Sequence, residues 1–206
     1  MFLGIDTSCY TTSLALVDAE GKLLLEKRKL LDVKPESCGL RQSEMVFQHT
    51  RNLPVLFEAM FCDLVHKITA VAVSEKPRPL KDSYMPAFVT GTSFARAIAA
   101  THGIDLFLTN HQQNHIEAGL WSAGGPKAGC FITLHISGGT TDLLLVGRDG
   151  SEFSIKEIGA SMDISAGQFV DRIGVDLGLS FPCGRYLKGI AETSSNPAQI
   201  PVAVKG

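Results

Sequence analysis

An internal repeat constrains this chain more than any other feature. Moved along by 129 positions, Ser8-Cys9-Tyr10-Thr11-Thr12-Ser13-Leu14-Ala15-Leu16-Val17-Asp18-Ala19-Glu20-Gly21 overlies Ser137-Gly138-Gly139-Thr140-Thr141-Asp142-Leu143-Leu144-Leu145-Val146-Gly147-Arg148-Asp149-Gly150 without a gap. Ser, Thr-Thr, two Leu, Val and Gly recur in register. Each copy follows one apolar run and precedes another, so each reads as strand, tight hydroxyl-bearing turn and returning strand. Two such hairpins facing one another can clamp a phosphate: turn N–H groups point at the anion, and Gly or Ser lets it approach closely. Either copy by itself reads as an ordinary hairpin turn. The pair in register points to a duplicated domain with a nucleotide between its halves.

The first copy supplies Thr7, Ser8, Thr11 and Thr12 as phosphate-loop candidates. The second follows Leu134-His135-Ile136, and its Ser137 and Thr140 add hydroxyls to a turn that Gly138 and Gly139 leave free to bend. Around the copies, residues 2–5, 13–17 and 23–29 read as an antiparallel meander. Residues 43–61 have helical spacing, with Pro54 predicted to kink or split the helix. Residues 68–73 read as a buried strand and 74–86 as a proline-rich irregular loop. Residues 88–101 read as a helix capped by Gly103, 106–108 as a short strand, and 111–122 as a helix that stops at Gly124-Gly125. The natural cut falls into 1–109 and 110–206. The polar stretch 192–201 reads as a loop, and 202–206 as the start of a further element, so the second domain is expected to be incomplete.

A chain that is 45% hydrophobic and 19% charged can bury a core, which excludes disorder for most of it. The formal charge of -2 gives no global basic field, so a nucleic-acid partner would need local patches or other subunits. The start, Met1-Phe2-Leu3-Gly4-Ile5-Asp6, has neither a basic region nor a long apolar run, so no signal peptide and no membrane span are expected. Five scattered cysteines (Cys9, Cys38, Cys62, Cys130 and Cys183) form no C-x-x-C, which reads as reduced cytoplasmic thiols and speaks against a cysteine zinc site.

Two further constellations carry chemistry. In His111-Gln112-Gln113-Asn114-His115, a helix capped by Asn110 would put both imidazoles on one face within reach of one metal, Zn or Fe. Two histidines fill half a coordination shell, so a carboxylate from elsewhere would be required. Spacing leaves open a helix that merely carries two histidines. Gln112 stands where an H-E-x-x-H peptidase keeps its base. His135, in a strand, reads as a satisfied core histidine that could touch a ligand; His49, His66 and His102 read as surface or core residues. In the stretch 161–184, Asp163 can open a helix and Gly178 can stop it. Asp171 can take ribose hydroxyls, and the turn glycine Gly184 lets an adenine lie against backbone. A solvated helix carboxylate is the plain alternative for Asp171.

With these residues in one order, the chain resembles the TsaD family, threonylcarbamoyl-adenosine tRNA synthases formerly described as glycoprotein endopeptidases. The resemblance runs from Gly4-Ile-Asp-Thr-Ser-Cys9 through His111-x-x-x-His115 and Ile136-Ser-Gly-Gly139 to Asp163-x-x-Ala-Gly167-x-x-x-Asp171 and Gly178-Leu-x-x-Pro-x-Gly184. It implies an α/β, actin-like ATPase (ribonuclease H-like) fold, duplicated, with mixed sheets. It implies His111 and His115 as ligands of iron or zinc. His135, Ile136, Ser137, Gly138, Gly139 and Thr140 would line an adenylate or nucleotide, and Asp171 and Gly184 would hold the nucleoside. The implied reaction is transfer of a threonylcarbamoyl group from its adenylate to a tRNA adenosine, with the tRNA bound through partner subunits and the chain in a homodimer or a TsaB-like heterodimer. Magnesium near Asp6 is a further implication.

The departures from the family are specific. Tyr10 and Thr11 replace an acidic pair, Lys76-Pro-Arg-Pro-Leu80 replaces a glycine-rich loop, and Thr140 replaces a histidine. These leave the catalytic residue unassigned, with Asp6 and Thr11 as candidates. They also keep a non-catalytic nucleotide-binding paralogue as the alternative. A metallopeptidase, or a small-molecule kinase using Asp6 or Asp142 as base, is the further reading.

Overall fold

The computed structural model describes residues 1–34, 39–61, 68–150 and 152–195. Cys38, Cys62, His66 and the tail from residue 196 lie outside them.

The first half is built on five strands. The meander is β1 (Phe2–Asp6), β2 (Thr11–Val17) and β3 (Leu23–Leu30), followed by β4 (Ala70–Lys76) and β5 (Asp105–Asn110), in the order β3-β2-β1-β4-β5. β1 pairs antiparallel with β2 and parallel with β4, and β4 parallel with β5, so the sheet is mixed. Strand alternation turns Leu3, Ile5, Leu14 and Leu16 to one face. There they meet Leu53, Leu56 and Met60 of α1 (Gln42–Phe61) and Ala95 of α2 (Pro86–His102). Pro54 neither splits α1 nor ends it. It sits on the exposed side of the helix, where the missing N–H leaves a carbonyl that water can satisfy. The irregular loop is shorter than the sequence implies, because β4 runs through Lys76 and Pro86 opens α2 at its first turn, where proline is pre-organised. Gly103 ends α2 in the left-handed conformation (φ 62°).

The second half repeats the plan. β6 (Cys130–Ile136), β7 (Thr141–Asp149) and β8 (Glu152–Ala160) form an antiparallel sheet, followed by α4 (Ala166–Asp176) and α5 (Gly184–Glu192). The repeat holds residue for residue across the hairpin. Asp6 opposes Ser13 in the first sheet, and their counterparts His135 and Asp142 oppose one another in the second. The two sheets differ in cover. Leu3, Ile5 and Leu14 are almost fully buried, whereas their counterparts Ile132, Leu134 and Leu143 are 60%, 58% and 39% exposed. Among the described residues, no helices lie over that face of the second sheet as α1 and α2 lie over the first.

Between the sheets runs α3 (His111–Ala123). Its N-cap Asn110 accepts from the Gln113 N–H, as the sequence predicts, and Gly124 closes it in the left-handed region. Ile116 packs on Leu144 and Val146 of the second sheet, while α3 also contacts β4 and β5 of the first. No helix among the described residues is long and apolar enough to cross a membrane.

Candidate functional site

The first residues of α3 lie between the equivalent ends of β1 and β6. At one end, the Asp6 carboxylate accepts from the Ser8 N–H (2.8 Å) and from Ser74 Oγ–H (2.5 Å), and His111 Nδ1 stands 3.4 Å from its Oδ2. Asn114 Nδ2–H donates to Ser74 Oγ at 2.6 Å, so α3 also holds Asp6 through a relay. Burial by itself would raise the Asp6 pKa. The His111 imidazole and the Ser74 and Ser8 donors outweigh it and hold the carboxyl well below the usual carboxylate range.

Next in line, His115 Nε2 lies 2.8 Å from His111 Nε2. A carboxylate only accepts, so His111 Nδ1 carries the proton that faces Asp6. In the neutral ring its Nε2 is then a lone pair. Burial, with the charges of His111 and His135, pushes the His115 pKa down to about 4, which leaves a neutral imidazole. Beyond it stands His135, its ring centroid 5.1 Å from that of His115. The line Asp6–His111–His115–His135 therefore joins two repeat-equivalent positions across the halves.

These histidines fit a divalent metal in part. The two Nε2 atoms, 2.8 Å apart in a donor–acceptor contact, would need to separate only slightly, with loss of the shared proton, to reach the roughly 3.3 Å spacing of two nitrogens on a tetrahedral ion. Asp6 sits behind His111 as the carboxylate that fixes a liganding tautomer. Among the described residues no three His, Cys, Asp or Glu side chains form a cage. The pair would supply at most two ligands, and the rest of the shell would have to come from elsewhere, as the sequence implies.

His135 is not the satisfied core histidine that its strand position predicts. Its Nδ1 is 3.3 Å from Thr140 Oγ1, and its Nε2 is buried without a hydrogen-bond partner among the described residues. Burial lowers its pKa, opposed by Asp142 and reinforced by His111 and Arg78.

The hairpin turns do not spend their hydroxyls evenly. Thr7 and Thr12 face the interior. Thr7 Oγ1–H donates to the Ala87 carbonyl (2.9 Å) and accepts from the Gly91 N–H (3.1 Å). Thr12 Oγ1 lies 2.8 Å from His49 Nδ1 and accepts from Asn52 Nδ2–H. Ser8 is buried and Thr11 half-buried. In the second turn, Ser137 Oγ accepts from the Gly139 N–H (3.2 Å) and the Thr140 N–H (3.0 Å), an arrangement a phosphate would have to displace. Gly138 and Gly139 are exposed, and Ile136 points away from the core at 54% exposure. Burial and the Asp6 charge raise the Cys9 pKa, so this thiol is protonated and not a nucleophile.

Helix α4 is capped by Ser165 and not by Asp163. Ser165 Oγ accepts from the Gln168 N–H and donates to the Gly138 carbonyl, two duties that a capping hydroxyl performs together. Asp171 Oδ1 accepts from the Cys183 N–H at 2.7 Å, just before Gly184 opens α5. Opposite, Tyr10 packs edge-on against Phe181 at 5.1 Å, so the first turn and the 178–184 turn touch across the halves.

Arg78, in the rebuilt loop, is a residue that motif reading missed. Its guanidinium bridges Asp142 and Glu157 of the second sheet, at 3.0 Å each. With Thr140, Thr141 and Asp163 they line an open polar pocket of about 230 Å³. Asp142, one of the two kinase-type base candidates, is thereby committed to Arg78.

Comparison with known proteins gives this geometry a family. The model of the family described as "tRNA N6-adenosine threonylcarbamoyltransferase" (TsaD) matches residues 35–206. A protein of that description from Archaeoglobus fulgidus is 28% identical over 206 residues, spanning 99% of this chain and 59% of its own length. Another from Carboxydothermus hydrogenoformans is 29% identical over 98% of this chain and 59% of its own. The chain therefore spans a little over half the length of the curated relatives it matches. Among solved structures, a ROK family protein from Streptococcus pneumoniae in complex with sucrose superposes with a TM-score of 0.53 at 13% identity, covering 93% of this chain and 68% of that one. YeaZ from Pseudomonas aeruginosa superposes at 0.50 and 12% identity, covering 78% and 65%. These likenesses show the fold, that of the actin-like ATPases. With the family model matched from residue 35 onward and the relatives aligned over nearly its whole length, the chain belongs to the TsaD family, the tRNA N6-adenosine threonylcarbamoyltransferases.

Proposed function

We propose that this chain holds an adenine nucleotide or acyl-adenylate in the cleft between its two hairpin turns. In this reading it also holds a divalent iron or zinc on His111 and His115, and the protein transfers a threonylcarbamoyl group to a tRNA adenosine. The observation that carries the reading is the row of polar side chains from Asp6 to His135, hydrogen-bonded through His111 to His115 and continued by the ring contact of His115 with His135; it ends at equivalent positions of the repeat and passes through both metal-type imidazoles. Thr11, Ser137 and Thr140 would meet the phosphates. Asp171, with one carboxylate oxygen uncommitted to Cys183, would take a ribose hydroxyl beside Gly184. Asp6 fixes the His111 proton on Nδ1 and so turns Nε2 toward the ligand. When bound, the metal would supply Lewis-acid polarisation of carboxyl or carbamoyl oxygens. A net charge of -2 leaves tRNA binding to local patches or partner subunits, in a homodimer or a heterodimer with a TsaB-like protein.

One observation favours a second reading, a nucleotide-binding paralogue without transfer. Tyr10 occupies a position where the family resemblance calls for a carboxylate, and its ring is engaged with Phe181. Three measurements separate the readings: elemental analysis of protein purified without chelator or histidine tag, ATP calorimetry, and a threonylcarbamoyl-transfer assay on tRNA with partner subunits present. Metal, nucleotide binding and transfer together support the first reading, and nucleotide binding with no transfer supports the second. Absence of nucleotide binding sinks both.

A further inference from the structure

Both hairpin turns are pinned by the helix that follows their meander, and at the same two places. In the second turn the Gly138 carbonyl accepts from Ser165 Oγ–H at 3.0 Å, and Thr141 Oγ1 accepts from the Ala166 N–H at 2.8 Å; both partners belong to the start of α4. Moved back by 129 positions, these atoms are the Cys9 carbonyl and Thr12 Oγ1. In the first turn one side chain of α1 holds both: His49 Nε2 lies 3.0 Å from the Cys9 carbonyl, and His49 Nδ1 lies 2.8 Å from Thr12 Oγ1.

The tautomer follows. A carbonyl only accepts, so Nε2 carries the proton, and Nδ1 accepts from the Thr12 hydroxyl. Thr12 in turn accepts from Asn52 Nδ2–H at 3.2 Å. His49 is fully buried and burial pushes its pKa down, in keeping with a neutral ring.

We propose that His49 is the positioning residue of the first anion-binding turn, doing with one imidazole what Ser165 and the α4 N-terminus do for the second. The inference rests on the reading that this turn meets the nucleotide phosphates. Its physical content lies in one peptide plane. Because a trans peptide points its carbonyl and its N–H in opposite directions, drawing the Cys9 carbonyl toward α1 turns the Tyr10 N–H away from α1. Thr12, by contrast, is tied into the core whether or not the turn binds anything. Nucleotide affinity should therefore follow the Cys9 contact and not the Thr12 contact.

Two conservative variants separate the contacts. The Gln amide of His49→Gln can replace Nε2 toward Cys9, and the Asn oxygen of His49→Asn can replace Nδ1 toward Thr12. By ATP calorimetry we expect His49→Asn to lose about tenfold in affinity, the cost of one buried hydrogen bond. His49→Gln should stay within about twofold of wild type. Amide hydrogen exchange at Tyr10 and Thr11 should quicken in His49→Asn, with the second turn unchanged. Equal ATP affinity in wild type and a folded His49→Asn would overturn the inference and leave the nucleotide reading intact. Absence of ATP binding by the wild type would overturn that reading, and the inference with it. Should neither variant fold, exchange in the wild type decides. Turn amides as slow as those of β1 and β2 support the pin, and fast local exchange there refutes it.

Discussion

The contact between Arg78 and Asp142 should be the strongest single ion pair joining the halves, and its cost can be worked from geometry. The Asp142 side chain is 3% exposed and the Arg78 side chain 32%, with 3.0 Å between charged atoms. At an effective dielectric of about 20 the gross attraction is about 5 kcal/mol, and most of it offsets the desolvation of a buried carboxylate. The second arm, to Glu157, is 46% exposed at the carboxylate and contributes at most about 1 kcal/mol. Replacing Arg78 with Met keeps the apolar stem and strands the Asp142 charge. Loss of one partner of a buried pair costs about 3–5 kcal/mol; with Arg78 one-third exposed, about 2–4 kcal/mol is expected. Adding Asp142→Asn removes the stranded charge, so the double variant should recover more than half of that loss. The assay is a double-mutant cycle in urea at neutral pH, with fluorescence of Trp121 as one probe and far-ultraviolet circular dichroism as the other. Additive single-variant losses, or an Arg78→Met loss below about 1 kcal/mol, would show that water reaches Asp142 and that the bridge adds nothing.

Three further outcomes follow from the same geometry. His111→Ala or His115→Ala should strip zinc or iron from protein purified without chelator while leaving the circular dichroism spectrum unchanged, since neither side chain belongs to the hydrophobic core of either half; retained metal in both variants would place it elsewhere. Gly167→Ala should destabilise by about 2–3 kcal/mol and weaken ATP binding. A Cβ there falls 2.4 Å from the Ser137 carbonyl oxygen and 2.7 Å from Gly138 Cα, both backbone, so the second turn itself must move; an unchanged urea midpoint would contradict this packing. Acid should weaken the fold through His49. Burial lowers its folded pKa below the ordinary histidine value of 6.5, so below pH 6.5 the unfolded chain binds a proton that the folded chain refuses. Stability is therefore full above pH 6.5 and falls as pH drops, by at most about 1.4 kcal/mol per unit for this residue. His49→Gln should show a shallower decline between pH 7 and pH 5, and an identical decline would clear His49.

The legible part of this fold was the part governed by short-range alternation. Strand period and turn chemistry placed β1, β2 and β6, and the Asn110 and Gly103 caps followed from their neighbours. The same alternation held information that counting hydroxyls overlooked. Thr7 and Thr12 share a face with Leu3, Ile5, Leu14 and Leu16, so parity already sent them to the core, where the structure finds them. The repeat likewise aligned His135 with the polar Asp6, a signal against the satisfied core histidine that strand position by itself predicts. The reach of Arg78 and the grip of His49 had no such local signal, because each depends on what a distant element brings opposite. With Thr12 spent on His49 and Thr141 on α4, the repeated hydroxyl positions sort themselves. Ser8 is buried while its counterpart Ser137 caps its own turn, and Thr140 Oγ1 reaches Ser137 Oγ and His135 Nδ1 beside it, so Thr11 and Thr140 are the pair with both members half-buried. An anion gripped symmetrically by this duplicated fold would meet those two hydroxyls. Thr11 also stands where the family resemblance calls for a carboxylate, so in this chain one position has exchanged negative charge for a donor suited to phosphate.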